Sequence, residues 1–406
     1  MILPWGGALR KGPLAALTCG ARASRRGAGA AARAGPRREL PVHRGPAVAT
    51  CTAAQLGGRA WERVRRAPER AAARVEEERM ARSGSTSDAR AQDAWSFLTD
   101  GELSDRRLRR SFSSIPEVHR FHNRLVSGDP EKHFLEHFRE THLAAANPLD
   151  AVSLGCGDGH LERTLVGFGW PFRSLVGLEL NPRLVSFAQE RMASLPRGRA
   201  VTYRQADLNR LSLARSSLDL AIFFHSLHHV TEVETCVEAV ARALRPGGKL
   251  LVVDYFGKNR LQRSRAHLDL CDTLLSHLPA PYRVDLSRSV PGQLVLKERC
   301  ENPPREAVIR DDPSEAVRSE ELERCLLRTR GLALREERPL GGTFLDPLLV
   351  DIAGNFRADD PVAVAHVRGA VSAEEALLRA GVLPSDFRYM VFERRRPWRG
   401  WLVRRC

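Results

Sequence analysis

Between residues 149 and 256, short apolar runs alternate with longer stretches in which apolar residues recur every three or four positions. The first pattern is that of strands and the second that of helices packed on one face. Strands are predicted over 151–154, 175–178, 200–205, 218–224 and 250–254. Helices are predicted after Gly159 and over 183–195 and 232–244, with the turn Arg245-Pro246-Gly247-Gly248-Lys249 between the last helix and the last strand. Alternation of this kind builds a parallel, doubly wound α/β sheet. Upstream, residues 92–145 read as helical, with segments at 93–98 and 130–145; Phe134, Leu135, Phe138 and His142 fall on one helical face. His133 and His137 have the spacing of a metal pair but no H-E-x-x-H context, so they are read as packing or solvated histidines. Downstream, helices are expected over 264–278, 314–329, 344–356 and 361–380, and strands over 332–338 and 388–394. Prolines 279, 281, 291, 303 and 304 punctuate an irregular stretch between them.

Charge changes this picture less than its total suggests. The chain of 406 residues carries +15, but residues 1–79 hold 15 Arg and one Lys against six Glu, which leaves only +5 for the rest. A nucleic-acid partner is therefore not expected from the body of the protein. Residues 1–86, rich in Arg, Ala and Gly, lack the periodicity of a core and are expected to be a disordered tail. A transit-like peptide, a weak secretory signal and a stretch without a role compete as explanations. We favour the last, with translation starting near Met80. Eight scattered cysteines form no C-x-x-C pair, so neither a zinc site nor an iron–sulfur cluster is readable; they fit small buried residues in a reducing, cytoplasmic setting. No uncharged apolar run approaches the roughly 20 residues of a membrane span. The domain plan is then a tail (1–86), a helical segment (87–148), a nucleotide-binding core (149–256) and a carboxy-terminal region of cap insertions with the last strands of the sheet (257–406).

The candidate chemistry centres on Gly155-Cys156-Gly157-Asp158-Gly159. Alternating glycines let the chain turn tightly off a strand and leave room for a ligand against the backbone, while the following helix presents unpaired amides. Glu179, at the end of the next strand, suits the two hydroxyls of a ribose. Dinucleotide enzymes need G-x-G-x-x-G, which is absent. The glycine loop, Glu179, Asp207, the segment L-D-L-A-I-F-F-H-S-L-H-H-V and the segment L-R-P-G-G-K-L-L-V-V-D, in this order, resemble the class I S-adenosylmethionine-dependent methyltransferases, in particular their small-molecule branch.

That resemblance implies a Rossmann-like seven-stranded sheet, with 332–338 and 388–394 as its sixth and antiparallel seventh strands, and with helical insertions as a cap. It implies S-adenosylmethionine as cofactor, held by Gly155, Cys156, Gly157, Asp158 and Gly159 at its methionine part, by Glu179 at the ribose and by Asp207 at the adenine, with Leu180, Leu208 and His225 also at the cofactor. His229 and His228, then Asp254 and Tyr255, are the candidates for the acceptor side, where a base helps if a hydroxyl is methylated; each has an alternative role in packing the loop. No metal is called for. The loop after the fourth strand reads F-F-H-S, not the Asn- or Asp-Pro-Pro-aromatic loop that the family uses on planar amino nitrogens. A small-molecule acceptor, methylated at oxygen, is therefore expected. A nucleic-acid or protein methyltransferase and a non-catalytic binder are the alternatives. Y-F-G-K-N-R-L-Q and D-P-S-E-A-V-R-S resemble segments of a bacterial group of undefined acceptor, and Arg260, Arg318 and Asn355 are noted as residues that would suit an acidic or sugar acceptor. Oligomeric state is left open.

Overall fold

The computed structural model describes residues 87–100, 111–143, 148–196, 198–290 and 292–396. The expected tail and the expected start near Met80 lie outside the described residues, as do Cys19, Cys51 and Cys406. Helices α1 (Ser87–Ala94), α2 (Pro116–Ser127) and α3 (Phe134–His142) precede the sheet. Then follow β1 (Leu149–Leu154), α4 (His160–Gly167), β2 (Phe172–Glu179), α5 (Pro182–Ala193), β3 (Val201–Gln205), β4 (Leu218–Phe224), α6 (Val233–Ala243) and β5 (Leu244–Tyr255). The chain continues through α7 (Arg265–Leu275), α8 (Arg305–Asp311), α9 (Leu322–Arg328), β6 (Leu332–Gly341), α10 (Leu345–Leu349), α11 (Pro361–Arg379) and β7 (Phe387–Arg394).

The seven strands form one sheet in the order β3-β2-β1-β4-β5-β7-β6, with β7 antiparallel to both of its neighbours. The expected α/β sheet with an antiparallel last strand is the one found. Strand side chains alternate between two cores, as a period of two demands. Leu220 and Ile222 of β4 and Leu251 and Val253 of β5 pack on one face with Phe134 and Phe138 of α3 and Leu165 of α4. Ala221, Phe223, Leu250 and Val252 pack on the other with Val237 and Val240 of α6 and Leu326 of α9. Central strands buried on both faces are rigid, and the chain order reverses between β1 and β4. The carboxyl ends of these two strands are therefore where a doubly wound sheet holds a ligand.

Several boundaries differ from the pattern, each with a local cause. Strand β5 begins at Leu244 and not at Leu250, because Arg245 to Gly248 form an irregularity within it: Leu218 pairs with Leu244, but Leu220 pairs with Lys249. Gly247 at φ +90° lets the chain loop out, and a Cβ on Gly248 would lie 2.9 Å from the Arg245 carbonyl oxygen. The helix expected over 314–329 is shortened to α9, with a 3-10 turn at Ser319–Glu321 before it. Its first turn is diverted by tertiary bonds, Arg260 N donating to the Ala316 carbonyl and Val317 N to the His228 carbonyl. The expected helix 344–356 breaks after α10, where Lys297 Nζ donates to the carbonyls of Pro347 and Val350. Helix α3 starts at Phe134 and not at residue 130, because Asn123 holds both the Pro130 carbonyl and the Phe134 amide. Helices α2 and α8 went unnamed in the sequence pattern. No helix among the described residues is long and apolar enough to cross a membrane. Cys156, Cys236, Cys271, Cys300 and Cys325 are buried and free.

Candidate functional site

The glycine loop leaves β1 with three left-handed residues, Gly155, Gly157 and Gly159, at φ +72°, +54° and +77°. Two of them are needed for close packing: a Cβ on Gly155 would lie 2.5 Å from Ser226 Cβ, and one on Gly159 would lie 2.6 Å from the Tyr203 hydroxyl oxygen. Gly157 differs, since a Cβ there would meet nothing nearer than Leu98 Cδ1 at 3.9 Å. Its backbone borders open space, and a side chain would intrude on it. The loop is fixed to β2 by Gly155 N and Cys156 N, which both donate to the Leu178 carbonyl. Asp158 accepts from His160 N at 3.0 Å and pairs with Arg163 at 2.8 Å, closing the entry to α4.

Glu179 ends β2 with one oxygen accepting from Gly157 N at 2.9 Å and the other from Asn181 N at 3.0 Å. Burial raises its carboxyl above the ordinary range, against the pull of those amides. Asp207, beyond β3, accepts from Asn209 N at 2.8 Å, and Asn209 Oδ1 in turn accepts from Thr231 N and Glu232 N. The loops after β1, β2, β3 and β4 thus enclose one cavity of about 290 Å³. Of the residues singled out from sequence, Gly155, Cys156, Gly157, Asp158, Glu179, Leu180, Asp207, Leu208, His225 and His229 line it.

Gly159, His228, Asp254 and Tyr255 are not among the lining residues. Gly159 packs on Tyr203 beneath the loop. Asp254 is wholly buried and accepts from Ser226 N at 3.0 Å, Leu227 N at 2.7 Å, Tyr255 N at 2.7 Å and His228 Nδ1 at 2.5 Å, so it builds the floor. Tyr255 points away and donates to the Lys258 carbonyl at 3.1 Å. Burial opposes a charge on His228, but the carboxylates of Asp254, Glu315 and Asp312 outweigh it and raise its pKa. Arg260 is spent on the carbonyls of Pro313 and Glu315, Arg318 on Glu234 and Glu321, and Asn355 on the carbonyls of Tyr282 and Val284. All three have protein partners, and none of them lines the cavity. His133 caps α3 through Leu135 N, and His137 pairs with Glu336.

His225 is the strained member of the site. Its φ is +53°, uncommon for a residue with a side chain, and its ring stands edge-on to Phe224 and Phe387. Both ring nitrogens are shut off from solvent and have no hydrogen-bond partner, although the ring lines the cavity. Burial lowers its pKa to about 4, with Asp254 opposing, so the imidazole is neutral at pH 7.

Sequence reasoning missed the wall opposite the glycine loop. Trp95 and Leu98, from the segment before the sheet, and Pro313 and Ser314, after α8, complete the lining. Trp95 Nε1 donates to Asp312 at 2.9 Å, its ring meets His229 edge-on at 5.5 Å, and His229 Nδ1 lies 2.9 Å from the Ser314 hydroxyl. The D-P-S-E run was visible as a motif, but nothing in the spacing tied it to His229.

Residues 152–252 match a family model described as a methyltransferase domain. Over this core the chain is therefore similar to methyltransferases. A ubiquinone/menaquinone biosynthesis C-methyltransferase of Syntrophotalea carbinolica is 30% identical over 134 residues, which is 33% of this chain and 54% of that protein. A ubiquinone biosynthesis O-methyltransferase of Xanthomonas euvesicatoria is 33% identical over 111 residues, 27% of this chain and 43% of that protein. The chain thus spans about half the length of these relatives. A crystal structure of an S-adenosylmethionine-dependent methyltransferase from Mesorhizobium loti aligns over 63% of this chain and 95% of that one, at 19% identity and a TM-score of 0.36. The residues present fit S-adenosylmethionine: the open backbone at Gly157 and the carboxylate at the end of β2 border one cavity, which His225 also lines.

Proposed function

We propose that this chain transfers the methyl group of S-adenosylmethionine to a small-molecule acceptor, at an oxygen. The cofactor supplies an already electrophilic methyl carbon, so the protein's work is alignment and exclusion of water. Glu179 keeps lone pairs free for the ribose hydroxyls beyond the two amides it already accepts from. Gly155 to Asp158 receive the methionine part, with Leu180 beside the ribose and Asp207 and Leu208 at the adenine.

The observation that carries the acceptor side is His225. His225 lines the cavity with a neutral imidazole whose nitrogens have no partner; turned toward the cavity, the ring accepts a hydrogen bond from a hydroxyl, whose remaining lone pair then faces the methyl group. His229, held by Ser314 and Trp95, shapes the opposite side, and Trp95 with Leu98 keeps bulk water out.

Calorimetric titration of the full chain with S-adenosylmethionine and, separately, with NAD tests the cofactor. Saturable binding of the first alone is expected. Turnover is then followed with a methyl-labelled cofactor on a panel of phenols and aliphatic alcohols, with fragmentation of the product to distinguish an ether from a carbon-methylated compound. Binding of neither cofactor overturns the reading, label on carbon overturns the oxygen, and tight binding without turnover favours the non-catalytic binder. A salt-sensitive affinity for RNA would revive the nucleic-acid alternative.

A further inference from the structure

Behind the His229 wall lies a buried cluster that methyl transfer does not require. His228 is fixed by its Nδ1 contact to Asp254, and Asp254 is itself immobilised by three backbone amides. The other ring nitrogen, Nε2, faces Glu315 Oε1 at 3.6 Å. Neither atom has a hydrogen-bond partner, and the two side chains are 0% and 6% exposed. His229 adds a third donor, and one ligand atom from each of His228, His229 and Glu315 lies within 4.8 Å of the other two. A second carboxylate, Asp312, stands 3.5 Å from His229 Nδ1.

The loop bearing both carboxylates is clamped against the histidines. Arg260 Nη1 donates to the carbonyls of Pro313 and Glu315, Arg260 N donates to the Ala316 carbonyl, and Val317 N donates to the His228 carbonyl. Leaving two polar atoms unpaired in a dry interior costs about 1–3 kcal/mol each. An ion or a proton shared between them would remove that cost.

We propose that His228, His229 and Glu315 form a binding site for a divalent first-row transition metal ion of the zinc class. The distance supports an ion over a direct bond. A separation of 3.6 Å is long for a hydrogen bond. It is close to the edge of roughly 3.4 Å that two ligands span on a tetrahedral zinc ion with bonds of about 2.0–2.1 Å. Two imidazoles and a carboxylate are the donor set that zinc accepts, and the contact from Asp254 to the far side of the His228 ring is the outer-shell contact that orients a metal-bound histidine. Three protein ligands would leave one position of such an ion open, and His229 belongs both to the cluster and to the cavity wall. The competing occupant is a proton, which would make His228 an imidazolium between Asp254 and Glu315. Metal binding displaces that proton. The site itself stands independently of the proposed methyl transfer. A role for the ion in polarising the acceptor oxygen rests on that reading.

The test uses the full chain after treatment with a chelator, titrated with zinc sulfate by calorimetry and with cobalt(II) chloride by visible absorption. One equivalent of zinc is expected, together with the ligand-field bands of a low-symmetry cobalt site. Glu315→Gln is expected to weaken zinc binding by at least about tenfold, the lower end of what even outer-shell changes cost, while S-adenosylmethionine binding to the same sample stays intact. Should that variant misfold, the wild-type cobalt spectrum and stoichiometry decide alone. Absence of the bands and of saturable zinc uptake in folded protein overturns the site and leaves the proton in place. Zinc uptake unaffected by Glu315→Gln also overturns it. Because the cobalt readout needs no methyl donor, failure of cofactor binding would count against the proposed function and not against the metal site.

Discussion

Glu179 Oε2 accepts a hydrogen bond from Gly157 N at 2.9 Å, joining the end of β2 to the middle of the glycine loop. One carboxylate thus holds the loop open and presents lone pairs to the cavity. Glu179→Ala removes both functions. Charge-assisted hydrogen bonds contribute about 1.5–3 kcal/mol each, so a loss of on the order of 30-fold or more in S-adenosylmethionine affinity is expected by calorimetry. Gly157→Ala adds a methyl group to the open face at a left-handed φ and is expected to weaken the same affinity, with a loss of stability limited to the backbone strain of about 1–2 kcal/mol. An unchanged affinity in both variants would remove the loop from the cofactor site.

The parts of this site legible in the sequence are those set by short-range pattern. The apolar strands, the loop glycines, Glu179 and Asp207 lie at strand ends, and strand ends are marked by where an apolar run stops. The rest depends on contacts over long separations. His228 and Glu315 are 87 positions apart, and only the diversion of 314–318 by Arg260 and by the His228 carbonyl brings them together. Helix propensity over 314–329 pointed elsewhere, and tertiary hydrogen bonds overrode it. Asp254 looked like a residue of the acceptor side because it ends a central strand, but the amides of Ser226 and Leu227 turn it inward.

Asp254 is therefore expected to act on stability before anything else. Replacing it by Ala leaves the Ser226, Leu227 and Tyr255 amides and the His228 ring without their acceptor in a fully buried place. Breaking a buried charged pair costs about 3–5 kcal/mol. Urea unfolding followed by circular dichroism should show a midpoint lowered accordingly, and an unchanged midpoint would contradict the structural role assigned to it.

Gly155 and Gly157 share a backbone conformation but should respond differently. A methyl group at Gly155 meets Ser226 Cβ at 2.5 Å, too close for carbon atoms, in addition to a left-handed φ of +72°. Overpacking of about 1–3 kcal/mol and backbone strain of about 1–2 kcal/mol add together. Gly155→Ala is expected to lower the melting temperature by several degrees more than Gly157→Ala, which carries the backbone strain alone. Equal shifts in the two variants would show that the close packing at Gly155 is not what constrains the loop.

The pH dependence of stability should carry the mark of Glu162, on α4 directly behind the glycine loop. Burial pushes its carboxyl up to about 7, with Asp158 adding to the rise, and with the Ser153 hydroxyl, its own backbone amide and Arg163 opposing it. Glu374, buried under the start of α10, is likewise pushed up to about 7 by burial, against the amides of Leu345, Phe344 and Thr343. In both, the folded state holds its proton more tightly than the unfolded chain, whose glutamates titrate near 4.3. Stability from these groups is therefore fully present below about pH 4 and lost as pH rises through 7. At 1.36 kcal/mol per unit, each group withdraws on the order of 3 kcal/mol across that window. Glu162→Gln retains the neutral shape without the titration, so its unfolding free energy should fall less steeply than that of the parent between pH 5 and 8 by roughly that amount, and its melting temperature with it. Parallel curves for parent and variant, measured by scanning calorimetry at constant ionic strength, would mean that Glu162 stays charged behind the loop.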